Sequence, residues 1–235
     1  MKHYHTLLFD VDNTLLDFTA TEQEALRSLF QSEGLSFTPE LLFAYKQLNQ
    51  SLWTAFEQGT ITRDELFYTR FSRFFSGLGK DVDGVLLEYK YRSLLDEGHH
   101  LIPGAMDLIM RLHENHNLYI ITNGISQTQH RRLTDSGLLP FFKDVFVSED
   151  TGYQKPMKKY FEYVIERIPG FEPENTLIIG DSLTADIKGG NLAGIDTCWF
   201  NPGIEANETD ILPTYEIRSL DELHDILVPD LTAVR

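Results

Sequence analysis

The chain has 235 residues, of which 20 are Lys or Arg and 36 are Asp or Glu, so its formal net charge is −16. This acidity argues against a nucleic-acid polymer or an anionic membrane surface as partner, because proteins that bind such polyanions usually carry a basic face. Hydrophobic residues make up 42% of the chain and charged residues 24%, which is typical of a globular protein with a sizeable core.

The cysteine count and the lengths of the apolar runs indicate the cellular setting. The single cysteine, Cys198, rules out an intrachain disulfide and fits a reducing compartment. The apolar run before Asp10 is too short for a signal-peptide core, and no stretch approaches the roughly 20 apolar residues that a membrane helix needs. The sequence therefore predicts a cytoplasmic protein. Residues 229–235 are expected to form a loose tail.

Short apolar runs that each end at a polar residue or glycine predict buried parallel strands. In chain order they lie at 6–9, 118–122, 145–148, 177–180 and 197–200. Helical patterns between the later runs lie at 104–114, 126–136, 157–168 and 184–192. Because strands and helices alternate, the sequence predicts an α/β fold, with a Rossmann-like parallel sheet and helices on both faces.

The stretch after the first predicted strand is helical throughout. Its predicted helices lie at 19–33, 40–58, 63–76 and 83–97, and two of them begin with typical start signals, Thr38-Pro39-Glu40 and Thr62-Arg63-Asp64-Glu65. The helical spacing of Phe67, Phe71, Phe74 and Phe75 indicates a hydrophobic core in this stretch. We therefore expect an all-helical domain at 18–101, inserted into a core domain made of 1–17 and 102–235.

Acidic residues follow two of the predicted strands. Asp10 and Asp12 come after the first strand, and Asp181 and Asp186 come after the fourth. Ligand sites in open parallel sheets lie beyond the carboxyl ends of the strands. Alone, the first pair is equally well explained as an acidic loop or a helix N-cap. Together, oxygen-only ligands from Asp10, Asp12 and Asp181 suit a hard cation, with Mg²⁺ the preferred choice.

Two further strand ends carry polar residues that suit an anion. Thr122-Asn123-Gly124 offers a hydroxyl, an amide and a glycine that lets backbone N–H groups approach an oxyanion. Lys155 can neutralise both a phosphate and the aspartates, and Pro156 is expected at the first position of the next helix. Each pattern is weak alone, since Asn-Gly is a common turn, but four such strand ends in one chain predict a phosphate site.

In these four segments the chain resembles the haloacid dehalogenase-like hydrolase superfamily, most of whose members are Mg²⁺-dependent phosphatases. The resemblance covers the whole chain, and it implies that 1–17 and 102–235 are the catalytic core and that 18–101 is a type 1 helical cap. Around residues 10–15 and 122–124 the chain is most similar to the pyrimidine 5′-nucleotidase-like group, which hydrolyses nucleoside monophosphates.

The resemblance also implies roles for individual residues. Asp10 matches the nucleophile that forms an aspartyl-phosphate, and Asp12 matches the general acid/base. The phosphate-binding positions are matched by Thr122, Asn123 and Lys155, and the metal-binding ones by Asp181, Asp10, the backbone carbonyl of Asp12 and Asp186, the last of which binds the metal or orients its ligands. Asn13 stands where the superfamily often has Gly, and Asn tolerates a positive φ.

We therefore expect a Mg²⁺-dependent phosphomonoester hydrolase acting on a small phosphorylated metabolite, with pyrimidine nucleoside 5′-monophosphates favoured by the resemblance. Phe18, Trp53, Phe56 and Tyr68 are candidates for stacking on a base. A sugar-phosphate phosphatase and a phosphomutase of the same superfamily remain alternatives. A phosphoacceptor signalling module is a distant alternative, because such domains are shorter and lack a helical insertion. The sequence does not indicate an oligomeric state.

Overall fold

The computed structural model describes residues 2–227, so the predicted tail at 229–235 lies outside the described residues. The chain divides into two compact units, one built from the residues up to Asp17 and from His99 onward, the other from Phe18–Gly98. Residues 99–101, which the sequence placed in the inserted domain, belong to the first unit. The reason is local, because the Asp17 N–H donates to the His100 carbonyl at 2.8 Å and Leu16 forms a β-bridge with Leu101.

The second unit, residues 18–98, consists of helices connected by short loops. They are α1 (Phe18–Ser32), α2 (Pro39–Glu57), α3 (Arg63–Gly77) and α4 (Gly84–Leu95). Both predicted start signals are confirmed, since Thr38 caps α2 and Thr62 forms a capping box with Glu65 at the start of α3. The predicted core phenylalanines at 67, 71, 74 and 75 are all buried. Among the stacking candidates, Phe56 is buried, whereas Phe18, Trp53 and Tyr68 are partly exposed.

Within residues 2–227, the first unit is built on a six-stranded sheet in which every neighbouring pair of strands is parallel. The strands are β1 (Thr6–Phe9), β2 (Asn117–Thr122), β3 (Asp144–Val147), β4 (Thr176–Gly180), β5 (Asp196–Phe200) and β6 (Tyr215–Ile217). Their order across the sheet is β3-β2-β1-β4-β5-β6. The five predicted strands are confirmed. The sixth was missed because it is only three residues long and carries the exposed Glu216.

Helices cover both faces of this sheet, as predicted. They are α5 (Ala105–Leu112), α6 (Ser126–Asp135), α7 (Ser148–Thr151), α8 (Lys158–Ile165), α9 (Lys188–Ala193) and α10 (Leu223–Leu227). Alternate residues of β1 enter different hydrophobic clusters: Leu7 and Phe9 pack with residues of α5 and α10, and Leu8 packs with residues of α8. Burial of both faces explains why the strands read as continuous apolar runs.

Two local predictions about helices need correction. Pro156 is not the first residue of a helix, because α8 begins at Lys158, and the Lys155–Pro156 peptide bond is cis. The predicted helix at 184–192 begins instead as a π-helical turn, Leu183–Ile187, and continues as α9. Such turns often occur at functional sites.

The single cysteine lies inside the sheet, where Cys198 in β5 is fully buried. Across residues 2–227, none of the helices combines the length and the apolar character that crossing a membrane would require. The expected cytoplasmic location stays a prediction.

Candidate active site

Asp10 lies at the carboxyl end of the central strand β1, between β2 and β4. Its N–H continues the sheet by donating to the Ile179 carbonyl at 2.9 Å. The side chain is buried, and its two oxygens accept hydrogen bonds from Lys155 Nζ at 2.7 Å and from Thr14 Oγ1 at 3.3 Å. Sequence analysis assigned no role to Thr14. The structure shows that it holds the second oxygen of Asp10.

Three of the predicted acids come together at this end of the sheet. Asp10, Asp181 and Asp186 each offer an oxygen, and these oxygens lie within 4.8 Å of one another. Asp181 follows β4, and its carbonyl accepts a hydrogen bond from the Trp199 indole at 2.8 Å. Asp186 belongs to the π-helical turn and accepts from the Ser182 N–H at 3.1 Å. The π-helical turn thus brings Asp186, which follows β4, close to Asp10, which follows β1.

Lys155 is the cation that this acidic group shares. Its Nζ donates to Asp10 at 2.7 Å, to Asp186 at 2.6 Å and to the Ile121 carbonyl at 2.9 Å, which uses all three hydrogens of the ammonium group. Asn123 fixes the same segment, because its side chain accepts from the Lys155 N–H and donates to the Lys155 carbonyl. A phosphate contact by Lys155, which stays a prediction, requires one of the three bonds to be exchanged.

The electrostatics of the group favour a cation. Burial raises the pKa of Asp10 to about 7, with Asp186 and Asp12 adding to the shift and Lys155 opposing it. Burial, together with Asp10 and Asp186, raises the pKa of Asp181 well above its ordinary value. Burial alone would lower the pKa of Lys155, but the carboxylates of Asp10 and Asp186 outweigh it and raise that pKa.

Three carboxylates therefore face one ammonium group, which leaves two negative charges uncompensated when all are ionised. A divalent cation would supply that charge and would favour the ionised forms of Asp10 and Asp181, whose pKa values burial raises. The donor set consists of carboxylate oxygens from the buried Asp10 and Asp186 and the half-buried Asp181, and it fits a hard cation such as Mg²⁺.

Asp12 lies outside this acidic group. Its Oδ1 accepts from Arg132 Nη1 at 2.5 Å and its Oδ2 from Gln129 Nε2 at 2.6 Å. The prediction that its backbone carbonyl binds the metal stays a prediction. The next residue, Asn13, has φ of 59°, so the expected tolerance of Asn for a positive φ is used in this loop.

Sequence reasoning missed both partners of Asp12. Gln129 and Arg132 lie on α6 on the same face as the buried Leu133, and both are themselves buried. The available signal was this spacing, a polar pair at i and i+3 beside an apolar residue at i+4. In most helices such a polar pair is exposed to solvent. Here the pair is buried because α6 lies beside the end of β1, and that position is visible only in the structure.

Thr122 and Gly124 belong to the same network. Thr122 Oγ1 accepts from the Gly124 N–H at 3.1 Å and from Gln129 Nε2 at 3.1 Å. The hydroxyl hydrogen of Thr122 can then be donated to a further group. Gly124 also has a steric role that the sequence did not reveal, because a Cβ at this position would lie 2.3 Å from Gln129 Nε2.

The fold and the site together define an α/β protein with a group of aspartates and a buried lysine at the carboxyl ends of its central strands. A family model for haloacid dehalogenase-like (HAD) hydrolases matches residues 4–194. The chain belongs to this family, as its four motifs predicted.

Individual relatives show which members of this family the chain is similar to. The chain is 62% identical over 227 residues to the HAD-hydrolase YfnB of Bacillus subtilis (strain 168), with 97% of each chain covered. It is 46% identical over 225 residues to the pyrimidine 5′-nucleotidase PynA of Streptococcus pneumoniae (strain ATCC BAA-255 / R6), with 95% of each covered. It is 34% identical over 221 residues to the pyrimidine 5′-nucleotidase YjjG of Escherichia coli (strain K12), covering 94% of this chain and 96% of YjjG. The predicted likeness to the pyrimidine nucleotidase-like group is confirmed.

A solved structure supports the same placement. The crystal structure of an orthorhombic form of Bacillus subtilis YfnB, bound to magnesium, matches with a TM-score of 0.92 and covers 97% of this chain and 100% of that chain. The predicted fold class, a Rossmann-like parallel sheet flanked by helices, is confirmed by this match and by the strand order.

Proposed function

We propose that the protein is a Mg²⁺-dependent phosphomonoester hydrolase that forms an aspartyl-phosphate on Asp10 and acts on nucleoside 5′-monophosphates, with pyrimidine nucleotides preferred. The observation that carries the proposal is the position of Asp10, buried at the end of the central strand, with Lys155 Nζ at 2.7 Å and the oxygens of Asp181 and Asp186 within 4.8 Å. The substrate class is supported by the similarity to PynA and YjjG, both of which are pyrimidine 5′-nucleotidases.

In the first half of the proposed reaction, a carboxylate oxygen of Asp10 forms a bond to phosphorus while the bond from phosphorus to the ester oxygen breaks. The carboxyl group of Asp12 gives its proton to that ester oxygen, so the nucleoside leaves as an alcohol. Asp12 is then ionised, and Asp10 carries the phosphoryl group.

In the second half, the Asp12 carboxylate accepts a proton from water as the water oxygen forms a bond to phosphorus. The bond between phosphorus and Asp10 breaks, which releases inorganic phosphate and restores the Asp10 carboxylate and the protonated Asp12. One pair of acids thus serves both steps, and no further reactant is required.

The remaining residues are proposed to balance the charge of the site and of the phosphate. When bound, Mg²⁺ supplies positive charge that offsets the phosphoryl oxygens during transfer. Asp10, Asp181 and Asp186 would hold it, with the Asp12 carbonyl as a further ligand. Lys155 offsets part of the negative charge of Asp10 and Asp186, and the Thr122 hydroxyl donates its hydrogen to a phosphate oxygen.

The second unit is proposed to be the type 1 cap that the sequence predicts. Its position in the chain, directly after the first acidic motif, supports this assignment, and the family model spans it.

The decisive variant is Asp10→Asn, which removes the nucleophile and changes little of the volume of the side chain. We expect phosphate release from uridine 5′-monophosphate with Mg²⁺ to fall by at least about 10³-fold, since catalysis without the nucleophile depends on binding and charge alone. Asp225→Asn, which alters an exposed acid of α10, is the matched control and should retain full activity. Activity retained by a folded Asp10→Asn protein would refute the proposal.

A panel of phosphomonoesters tests the substrate class. We expect pyrimidine nucleoside 5′-monophosphates to have the highest kcat/KM, followed by purine nucleotides and then sugar phosphates. A preference for sugar phosphates would assign the sugar-phosphatase alternative, and transfer to a second sugar hydroxyl without phosphate release would assign a phosphomutase. A phosphorylated protein that persists for hours would indicate a signalling module.

A further inference from the structure

Two buried side chains of α6 hold the carboxylate of Asp12. Arg132 Nη1 donates to Oδ1 at 2.5 Å, and Gln129 Nε2 donates to Oδ2 at 2.6 Å. Each donor is 1% exposed, whereas the Asp12 side chain is 28% exposed. The donors are therefore fixed by packing, and the carboxylate that they hold keeps part of its surface open to solvent.

The two donors also fix each other. Arg132 Nη1 donates to Gln129 Oε1 at 3.2 Å, and Gln129 Nε2 donates to Thr122 Oγ1 at 3.1 Å. This network permits a single orientation of the Gln129 amide, with its oxygen toward Arg132 and its nitrogen toward Asp12. The direction of the Asp12 carboxylate thus depends on a network that starts at the end of β2.

The backbone leaves room for this arrangement. A Cβ at position 124 would lie 2.3 Å from Nε2 and 2.7 Å from Cγ of Gln129, so any residue other than glycine would displace the amide that binds Asp12. Gly124 is thereby a second feature, independent of the hydrogen bonds, that keeps Gln129 against the carboxylate.

Stability alone does not account for a buried arginine and glutamine at this place. An apolar pair of similar volume often gives a fold that is at least as stable as a buried ion pair does. What the polar pair adds is direction, because a carboxylate with one donor on each oxygen cannot rotate without breaking both bonds. An acid/base group needs such direction, since its proton must pass over a hydrogen-bond distance and a misplacement of about 1 Å can cost on the order of 10²-fold in rate.

We propose that Gln129 and Arg132 are positioning residues that fix the direction of the Asp12 carboxyl group for its two proton transfers. The inference rests on the proposed function, in which Asp12 protonates the leaving oxygen and later deprotonates water. It assigns to α6 a part in catalysis that goes beyond the motif residues, because neither side chain needs to touch the substrate.

The test compares esters whose leaving groups differ in their need for a proton. Uridine 5′-monophosphate releases an alkoxide that must be protonated, whereas p-nitrophenyl phosphate releases a stable phenolate that need not be. For Gln129→Met and Arg132→Met we expect kcat on uridine 5′-monophosphate to fall on the order of 10²-fold. On p-nitrophenyl phosphate, we expect the first turnover to keep close to its wild-type rate and later turnovers to slow, because only hydrolysis of the phosphoenzyme needs Asp12 there.

The expected signature is a burst of p-nitrophenolate that approaches one equivalent per chain and is larger than in the wild-type protein. A structural role would slow the first and later turnovers by the same factor and produce no burst, and that result would overturn the inference, as would unchanged kcat on both esters. The matched control is Arg111→Met, which removes an exposed ion pair with Asp221 and should behave as wild type.

Folding is monitored by thermal denaturation of every variant. If Arg132→Met does not fold, Arg132→Lys, which keeps the charge but presents a single donor group, and Gln129→Met, which keeps the ion pair, decide the question by the same burst measurement. Failure of the proposed phosphatase chemistry is distinguishable, since the wild-type protein would then release phosphate from neither ester.

Discussion

Gly180 leaves the space that the side chain of Asp186 fills. A Cβ on Gly180 would lie 2.3 Å from Asp186 Cγ, closer than side-chain atoms approach one another. Asp186 is buried and is held by Lys155 and by the Ser182 N–H, so it has little freedom to move aside. Gly180, which ends β4, and Asp186 therefore pack as one unit.

Gly180→Ala should displace Asp186 and with it the geometry of the acidic group. We expect kcat/KM for phosphate release to fall on the order of 10²-fold, together with a higher Mg²⁺ concentration for half-maximal activity. Gly77→Ala, where a Cβ would meet nothing within 4 Å, is the control and should leave both quantities unchanged. Wild-type activity in Gly180→Ala would show that Asp186 is not needed where the structure places it.

Lys155→Met removes the ammonium group that two buried acids share. Because the carboxylates of Asp10 and Asp186 lose their buried counter-charge, we expect the free energy of unfolding in EDTA to fall by about 3–5 kcal/mol. Mg²⁺ should restore part of this loss, since it neutralises the same carboxylates. Urea denaturation with EDTA and with Mg²⁺ measures both effects.

The control for this change is Lys158→Met on α8, whose ammonium group forms an exposed pair with Glu162. It should alter stability by less than about 1 kcal/mol. Equal effects of the two substitutions would contradict the role of Lys155 in neutralising the buried acids.

The metal-free site should make stability depend on pH through Asp10. Its pKa in the folded chain is about 7, raised from its usual 3.8. Between these values the folded state binds a proton that the unfolded state has lost, so this group's contribution to stability is present at low pH and is lost as pH rises through 7. Mg²⁺ requires the ionised acid, so its binding should strengthen as pH rises.

We therefore expect a larger increase in Tm on adding Mg²⁺ at pH 8 than at pH 6, measured by thermal denaturation at a fixed Mg²⁺ concentration. In EDTA, Asp10→Asn should have a smaller dependence of Tm on pH over this range than the wild-type protein has. An increase that is larger at pH 6 would reverse the predicted sign.

The Thr122 hydroxyl oxygen accepts two hydrogen bonds, and its hydrogen can be donated to a further group. Thr122→Val keeps the shape of the side chain but removes the hydroxyl, so we expect kcat/KM to fall by about 10- to 100-fold, the usual value of a hydrogen bond to a charged group. Thr122→Ser should keep most of the activity. Steady-state kinetics on one nucleotide substrate compares the two variants, and equal activity would exclude a hydroxyl contact with phosphate.

The fold was predictable because its signals are local. Leu7, Leu8 and Phe9 form a continuous apolar run since neighbouring residues of β1 face opposite hydrophobic layers, and that pattern is visible in the sequence. β6 was not visible, because its pairing with β5, in which Glu216 lies opposite Trp199, depends on the finished sheet edge rather than on its own composition.

The acids of the candidate site were predictable for the same reason, since Asp10 and Asp181 directly follow strands that the sequence shows. Their partners were not. Arg132 is 120 residues from Asp12 in the chain and reaches it only because β2 lies beside β1. Strand order is a property of the assembled sheet, so contacts of this kind cannot be read from spacing.

The central position of β1 has a consequence for synthesis on the ribosome. Thr6 pairs with Asn117 on one side and with Thr176 on the other, so β1 leaves the ribosome before both of its partners. The whole helical segment 18–98 is translated in the interval, and at about 5–20 residues per second the wait lasts several seconds. Asp10 is translated together with β1, yet Asp181 and Asp186 follow only with β4 and the turn after it. The acidic group of Asp10, Asp181 and Asp186 is therefore completed only after β4 and the π-helical turn have been translated.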